Sequence, residues 1–160
     1  SVRYDAGVSR DIGRRSNLKA QLGVYTRDFV AAREDERIRL WSLEYTMNRR
    51  SYSRLSASIG QQFSPSRGLG TFIRTDQLRV SLIHSWNDRF RSRGIFGYFV
   101  DEFVDTDRVD HRYSLSSIVE YSFSERWRLS GGLRYSQRRS SASSLDFDRT
   151  LLFMRSTYQF

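Results

Sequence analysis

The sequence predicts an all-β fold, an antiparallel up-and-down transmembrane β-barrel with about nine strands in this chain. Three observations predict it. Apolar and polar residues alternate in successive segments of the chain, and this two-residue period is typical of β-strands with one apolar and one polar face. The connections between these segments alternate between short and long, as in barrels with tight turns at one end and longer loops at the other. The segments are also about nine to fourteen residues long, which suits a tilted membrane strand better than a soluble sheet.

The first three predicted strands each carry one apolar side. The first covers Val2 to Arg10. The second covers Asn17 to Val30, and the apolar residues on one of its faces are Leu18, Ala20, Leu22 and Val24. The third covers about Ile38 to Asn48, with an apolar side made of Trp41, Leu43, Tyr45 and Met47. Charged and small polar residues stand between these positions, so each segment has two different faces.

The next three strands continue the pattern with one irregular member. The fourth covers Arg54 to Phe63, and its apolar residues are Leu55, Ala57, Ile59 and Phe63. The fifth covers Gln77 to Trp86, and its apolar residues are Leu78, Val80, Leu82 and Trp86. The sixth, about Arg91 to Phe103, is the least regular because neighbouring apolar residues blur its faces: Ile95, Phe96, Tyr98 and Phe99.

The last three strands complete the predicted wall. The seventh has an apolar side made of Tyr113, Leu115, Val119, Tyr121 and Phe123, and the eighth one made of Trp127, Leu129, Leu133 and Tyr135. The ninth covers Thr150 to Phe160. Because an antiparallel barrel closes with an even number of strands, we expect at least one further strand upstream of Ser1. The chain is therefore predicted to be the C-terminal part of a larger barrel.

Two kinds of connection join these strands into one barrel-wall domain over residues 1–160. Short turns are predicted near 11–16, 48–53, 87–90 and 124–126. Longer polar loops are predicted near 31–37, 64–72, 104–111 and 139–146. The repeating unit is one up-and-down hairpin, with the short turns expected on the periplasmic side.

Composition excludes several classes of protein. The longest apolar runs fall far short of the roughly twenty residues of a membrane-spanning helix, so a helical membrane protein is excluded. The absence of cysteine excludes a disulfide framework, a zinc ribbon and thiol chemistry. The net charge of +9 comes almost wholly from arginine, since Lys19 is the one lysine. Arginine pairs with phosphate or carboxylate, so charge alone fits nucleic acid, lipid head groups or anionic solutes.

The last segment, Thr150 to Phe160, resembles the C-terminal sorting signal of Gram-negative outer-membrane β-barrels, a strand that ends in phenylalanine with an aromatic residue two positions earlier. The resemblance implies that the barrel-assembly machinery reads Met154, Tyr158 and Phe160, with Ser156 a weaker match. It also implies a bacterial outer-membrane location. The expected partners are then outer-membrane lipid, lipopolysaccharide, the assembly machinery and other envelope subunits, and no nucleic acid.

Two further segments carry a more specific resemblance. The turn from Phe123 to Trp127 and the stretch Leu145 to Arg149 are similar to segments of porin-like barrels associated with exopolysaccharide export or surface-protein delivery. This resemblance implies a transport role.

The polar faces of the strands predict a charged lumen. In a barrel these faces turn inward, whereas in a soluble sandwich they would form the solvated surface. A wide lumen with unpaired guanidinium groups favours anions, and a narrow one would hold paired charges because an unpaired buried charge is costly. Acids are too few to pair every base, so we expect a wet lumen. The predicted lumen-lining residues are Arg3, Lys19, Arg54, Arg79, Arg91, Arg93, Arg112, Glu120, Arg128, Arg134 and Arg155.

Aromatic residues near the strand ends predict two interfacial girdles. The set at the short-turn end is Tyr52, Trp86, Phe90, Phe123, Trp127 and Phe160. The set at the loop end is Phe29, Trp41, Phe63, Phe72, Phe103 and Phe147.

Catalytic and metal-binding patterns are not found in the sequence. The two histidines, His84 and His111, fall near opposite ends of their strands and are not expected to share a site. The acidic residues from Asp101 to Asp110, like the segment from Arg33 to Arg37, are expected to be charged loops rather than metal ligands. No enzyme, cofactor or metal site is predicted.

Three functions are compatible with these features of the sequence. The leading hypothesis is an outer-membrane pore or export conduit with an arginine-rich lumen. The second is a plugged or structural barrel that anchors or sheathes another component. The third is a soluble basic β-protein that binds nucleic acid or polysaccharide.

Overall fold

The computed structural model describes residues 2–27, 36–49, 52–65, 72–103 and 107–159. Within these ranges nine strands form one sheet, and a short 3-10 helix, Ser143–Leu145, precedes the last strand. The strands are β1 (Val2–Asp11), β2 (Ser16–Arg27), β3 (Glu36–Arg49), β4 (Ser53–Pro65), β5 (Phe72–Ser85), β6 (Phe90–Phe103), β7 (Val109–Ser122), β8 (Trp127–Ser140) and β9 (Phe147–Tyr158).

The sheet is an up-and-down meander. Each strand pairs antiparallel with the next one in the chain, from β1 to β9. In the part of the chain that the structure describes, the two outer strands, β1 and β9, do not pair with each other, so the sheet is open. The described residues contain no helix that is long and apolar enough to cross a membrane.

The strand bounds differ from the sequence prediction at several ends. β5 begins at Phe72 and β7 at Val109, so both strands extend further towards the loops than predicted. β8 runs to Ser140, into the segment predicted as the loop 139–146. Charged residues near these ends pair with the neighbouring strands. Because charged residues are typical of loops, the predicted strands are too short at these ends. Most of the predicted loops 31–37 and 64–72, and residues 104–106 of the third, lie outside the described residues.

The register assigns every strand residue to one of two faces, because directly paired residues of antiparallel strands lie on the same side of the sheet. Along one such row, Ala57 pairs with Val80, Val80 with Phe96, and Phe96 with Leu115. This row also shows which residues of β6 belong to the apolar face. Phe96 lies on the apolar face with Val80 and Leu115, whereas Ile95 lies on the polar face. A slip of one residue would exchange the two faces entirely.

The apolar face is open to its surroundings. Large hydrophobic side chains across the whole sheet are exposed on it, from Leu22 on β2 to Met154 on β9, which is 79% exposed. A water-soluble sheet of this size would cover such a surface with a second layer, because large contiguous apolar patches are rare on soluble proteins. This face is therefore suited to an apolar surrounding.

The polar face is the more buried of the two faces. The residues classed as buried within the described ranges all lie on this face, and they are Gly23, Gly60, Gly97, Asp101, Asp110 and Ser116. At Gly60 a methyl group would stand 2.7 Å from the carbonyl oxygen of Trp41 and 3.0 Å from Cα of Ser42. Only a residue without Cβ permits this close approach of β3 and β4.

Replacing Gly60 with alanine is expected to destabilise the protein by about 1 to 2 kcal/mol, because the clash is with backbone that cannot move aside cheaply. Gly94→Ala is the matched control, since a methyl group at Gly94 would meet nothing within 4 Å. Urea unfolding from lipid vesicles, followed by tryptophan fluorescence, measures both changes. Equal stability of the two variants would contradict the close approach of β3 and β4.

Candidate functional site

The candidate site is the polar face, to which the register assigns the predicted lumen-lining side chains. Arg54 and Arg93 flank Ile83 in one row of paired residues. A second row joins Arg91, Glu120, Ser130 and Arg155. The remaining members pair as Lys19 with Glu44, Arg79 with Gly97, Arg112 with Arg138, Arg128 with Ser122, and Arg134 with Ser116. Arg3 pairs with Tyr25, but its side chain lies outside the part that the structure describes.

A cluster of paired charges occupies the loop end of this face. Asp110 is its centre and has 0% relative exposure. Its Oδ1 accepts from Arg108 Nε at 3.0 Å and its Oδ2 from Arg108 Nη2 at 2.6 Å, and Arg138 and Ser140 also donate to it. The hydrogen bond to Asp110 raises the pKa of the Arg108 guanidinium, so this arginine stays charged. Three side chains, one from immediately before β7 and two from β8, thus hold one carboxylate.

Asp101 completes this loop-end cluster. It is 6% exposed, and its Oδ1 accepts from Arg112 Nη2 at 2.9 Å and from Thr75 Oγ1 at 2.7 Å. Arg112 also donates to it through Nε. The Arg112 guanidinium lies 4.9 Å from the centre of the Phe99 ring, within the range of a cation–π contact. In this loop-end cluster each carboxylate is therefore paired with guanidinium groups of the same cluster. Its members are Thr75, Asp101, Arg108, Asp110, Arg112, Arg138 and Ser140.

The pairing of Asp101 and Asp110 was not predicted from the sequence. Both were expected to be charged loop groups, whereas they are strand residues that pair directly with each other. Two carboxylates side by side repel unless cations separate them, and the arginines supply those cations. Across the described ranges, no group of three or more His, Cys, Asp or Glu side chains is placed to hold a metal ion.

Outside the loop-end cluster the arginines of the same face are far less paired. Arg128 contacts Glu120 at 3.6 Å. The others form no ion pair with any residue that the structure describes, and they are Arg54, Arg79, Arg91, Arg93, Arg134, Arg149 and Arg155. Arg79 lies 5.8 Å from the centre of the Phe99 ring, at the outer limit of a cation–π contact. The polar face therefore divides into a loop end whose arginines are ion-paired and a remainder whose arginines mostly are not.

The predicted assembly signal lies on the outer strand β9. Met154 and Tyr158 both lie on the apolar face, where Met154 pairs with Gly131 and Tyr158 with Trp127. Between them, Ser156 accepts a hydrogen bond from Trp127 Nε1 at 2.9 Å. Phe160 lies outside the described residues. Its role, like that of Met154 and Tyr158, stays a prediction.

The predicted aromatic girdles agree with the structure only in part. At the turn end, Trp127 stacks on Phe123 with ring centres 4.7 Å apart, and Trp86 donates through Nε1 to Ser92. At the loop end, the assignment of Phe103 and Phe147 is wrong, because the register places both on the polar face with Ile73 and Arg138. Nearness to a strand end does not decide the face, which changes at every residue. Phe29 and the side chain of Phe72 lie outside what the structure describes.

The two histidines lie on the apolar face at opposite ends of the sheet. His84 Nδ1 is 2.6 Å from Ser53 Oγ near the turn end. His111 Nδ1 is 2.9 Å from the Tyr98 hydroxyl near the loop end. In the described residues neither ring bonds to a carboxylate that could orient it as a general base. The structure thus keeps the histidines apart, as the sequence predicted.

Comparison with known proteins adds three findings. The model of the family described as "Putative beta-barrel porin 2" matches residues 62–160. The structure is similar to that of OmpT, in-vitro folded, an outer membrane protein of Vibrio cholerae, with a TM-score of 0.62 at 11% identity over 96% of this chain and 54% of that chain. It is also similar to a loop L8 deletion mutant of OmpT, with a TM-score of 0.60 at 11% identity over 97% of this chain and 53% of that one. No curated protein matches the sequence.

These findings bear on fold and extent. At 11% identity the structural likeness speaks for the fold alone, an antiparallel outer-membrane barrel wall. The chain spans about half the length of the solved structures that it matches.

Proposed function

Since the chain belongs to the Putative beta-barrel porin 2 family and lies in the bacterial outer membrane, we propose that it forms the wall of a water-filled pore or export conduit that favours anions. The role is passive, with no catalytic step. The outer-membrane location excludes the third hypothesis, a soluble protein that binds nucleic acid or polysaccharide. The apolar face then meets lipid and lipopolysaccharide, and the polar face meets water.

The unpaired arginines of the polar face carry this proposal. A dry, narrow interior would leave each uncompensated guanidinium at a cost of several kcal/mol. Such charges are tolerated where water solvates them, and a wet passage lined by arginine attracts anions and repels cations. The members that lie deepest in the wall, Arg79 and Arg134, are at mid-strand on β5 and β8. They are the positions where a charge acts most strongly on a passing ion.

The residues around these arginines leave space for water. Short side chains occupy the centre of the polar face on four neighbouring strands: Ser56 and Ser58 on β4, Ser81 on β5, Gly97 on β6, and Ser114 on β7. Large side chains at these positions would fill a barrel interior, as they do in small barrels with packed cores. Small polar residues are the composition expected of a lumen that stays open.

Reversing the charges of Arg79 and Arg134 tests the proposal. We expect the full-length protein to conduct in planar bilayers with a reversal potential that favours chloride over potassium. Arg79→Glu with Arg134→Glu should lower the chloride to potassium permeability ratio at least about twofold, since the field in the passage reverses locally. Arg139→Gln is the control, because Arg139 lies on the apolar face and pairs with Asp148. Cation selectivity of the unchanged protein would overturn the proposal.

One observation favours the second hypothesis, a plugged or structural barrel. The loop-end cluster buries its charges and pairs them, which is the arrangement of a filled interior rather than an open one. If the loop-end cluster closes the passage, the full-length protein should insert into bilayers and carry no ionic current. The same conductance measurement therefore separates the two candidate functions.

A further inference from the structure

A hollow of about 440 Å³ opens on the polar face near the turn end. Three arginines line it from two strands, with Arg54 on β4 and Arg91 and Arg93 on β6. Arg54 and Arg93 stand in one row of paired residues on either side of a single strand, so their Cα atoms are roughly 10 Å apart. Arginine side chains are long enough to converge across that gap.

The guanidinium groups in the hollow are oriented by neutral partners. Arg54 Nε donates to Asn48 Oδ1 at 2.9 Å, and Arg91 Nε donates to Ser85 Oγ at 3.4 Å. Neither bond uses the terminal amino groups of the two arginines. Arg93 forms no hydrogen bond or ion pair with the residues that the structure describes. The terminal amino groups of these guanidinium groups, which bind oxyanions, are therefore available to a ligand.

The nearest acidic side chain does not close the hollow. Glu120 pairs with Arg91 in the register of β6 and β7. Its carboxylate lies 3.6 Å from Arg128 on the far side, and it forms no ion pair with Arg91. The hollow thus holds three positive charges and no compensating negative one within the described ranges.

The loop-end cluster of the same face provides an internal comparison. There, Arg108 and Arg138 aim at Asp110, and Ser140 adds a hydroxyl donor. The turn-end hollow has the same components, guanidinium groups with a serine beside them, and lacks the carboxylate. At the loop end, a carboxylate pairs with the arginines. At the turn end, the three arginines of the hollow have no such carboxylate beside them and are open to solvent.

We propose that this hollow, the turn-end anion site, binds a multiply charged oxyanion, either a phosphate group or a pair of carboxylates, carried by a soluble compound. The inference rests on the proposed function only in that the polar face must be wet. Guanidinium forks bind phosphate and carboxylate bidentately. The volume lies in the range of small-molecule sites and exceeds that of a phosphate group, so the ligand carries a further polar body.

Calorimetric titration of the detergent-solubilised full-length protein with pyrophosphate, and separately with succinate, tests the site. We expect at least one of the two compounds to bind. Selective binding of pyrophosphate would identify a phosphate ligand, and selective binding of succinate would identify a pair of carboxylates. Arg54→Gln and Arg93→Gln should each weaken binding about tenfold, the usual effect of losing a hydrogen bond to a charged group. The control Arg134→Gln removes the same charge from the same face outside the hollow and should leave affinity unchanged.

Three outcomes would overturn the site: binding of neither probe, unchanged affinity in both hollow variants, or an equal loss in Arg134→Gln. Retained heat-modifiable migration in gels shows that each variant is folded. The pore is judged separately by its conductance. Anion-selective current without probe binding refutes the site and keeps the pore, whereas probe binding without current keeps the site and refutes the pore.

Discussion

Asp110→Asn is expected to destabilise the folded barrel wall by about 3 kcal/mol, because breaking a buried ion pair leaves its partners without a counter-charge. The carboxylate has 0% relative exposure and is held by two arginines and a serine. Asparagine has nearly the same shape, so the change removes the charge and little else. We place the value at the lower end of the range for buried pairs, since the Arg108 and Arg138 side chains keep 26% and 24% of their exposure.

Urea unfolding from lipid vesicles measures this loss, with Trp41, Trp86 and Trp127 as fluorescent reporters. Asp148→Asn is the matched control. Asp148 pairs with Arg139 at 2.8 Å on the apolar face near the same end, where both side chains are about half exposed. Exposed pairs contribute roughly 0 to 1 kcal/mol, so this variant should unfold almost like the unchanged protein. Similar losses in the two variants would show that burial of Asp110 has no energetic role.

Leu115→Arg is expected to cost about 2 to 4 kcal/mol, the usual penalty for a basic residue on the lipid face near the middle of a barrel wall. Leu115 lies at the middle of β7 between Phe96 and Tyr135 and is 54% exposed. In the membrane this exposed surface meets acyl chains, which cannot solvate a guanidinium group. The long arginine side chain has no nearby polar end to reach at that depth.

Ser81→Arg is the control for this prediction. Ser81 lies on the polar face of β5, between Ser56 and Ile95 and within one residue of the same depth in the wall. A guanidinium group there joins the polar face, which we propose to be wet, so we expect a loss below about 1 kcal/mol. The same unfolding assay compares the two variants. If Ser81→Arg proves the more damaging change, the two faces have been assigned the wrong way round.

The strand order and the two faces of the sheet could be predicted from the sequence because both depend on local information. The side-chain period of a strand is two residues, and adjacent strands in an up-and-down meander follow chain order. The alternation of Leu55, Ala57 and Ile59 therefore located β4 and its apolar face without any tertiary contact. Loop-side ends were less accurate, since polar residues continue the strands beyond the last apolar position.

The pairing of charges could not be predicted in the same way. Whether Asp101 and Asp110 are solvated loop groups or a buried pair depends on the register between β6 and β7, which is fixed by contacts along the whole of both strands. The aromatic residues Phe103 and Phe147 were assigned to the wrong face for a related reason. Counting residues to a strand end fixes depth in the wall, while the face depends on the parity of the position.

The sequence by itself determined an all-β wall of nine antiparallel strands, with one apolar face and one face rich in arginine. The reason is that the alternation of apolar and polar residues is a local property of each segment. Only the tertiary structure decided which arginines are neutralised. It pairs Arg112 and Arg138 with buried aspartates at the loop end and leaves Arg54, Arg91 and Arg93 open around a hollow at the turn end. The physical reason is that an ion pair depends on distance across strands, and residues far apart in the chain come within a few ångströms only once the register is set.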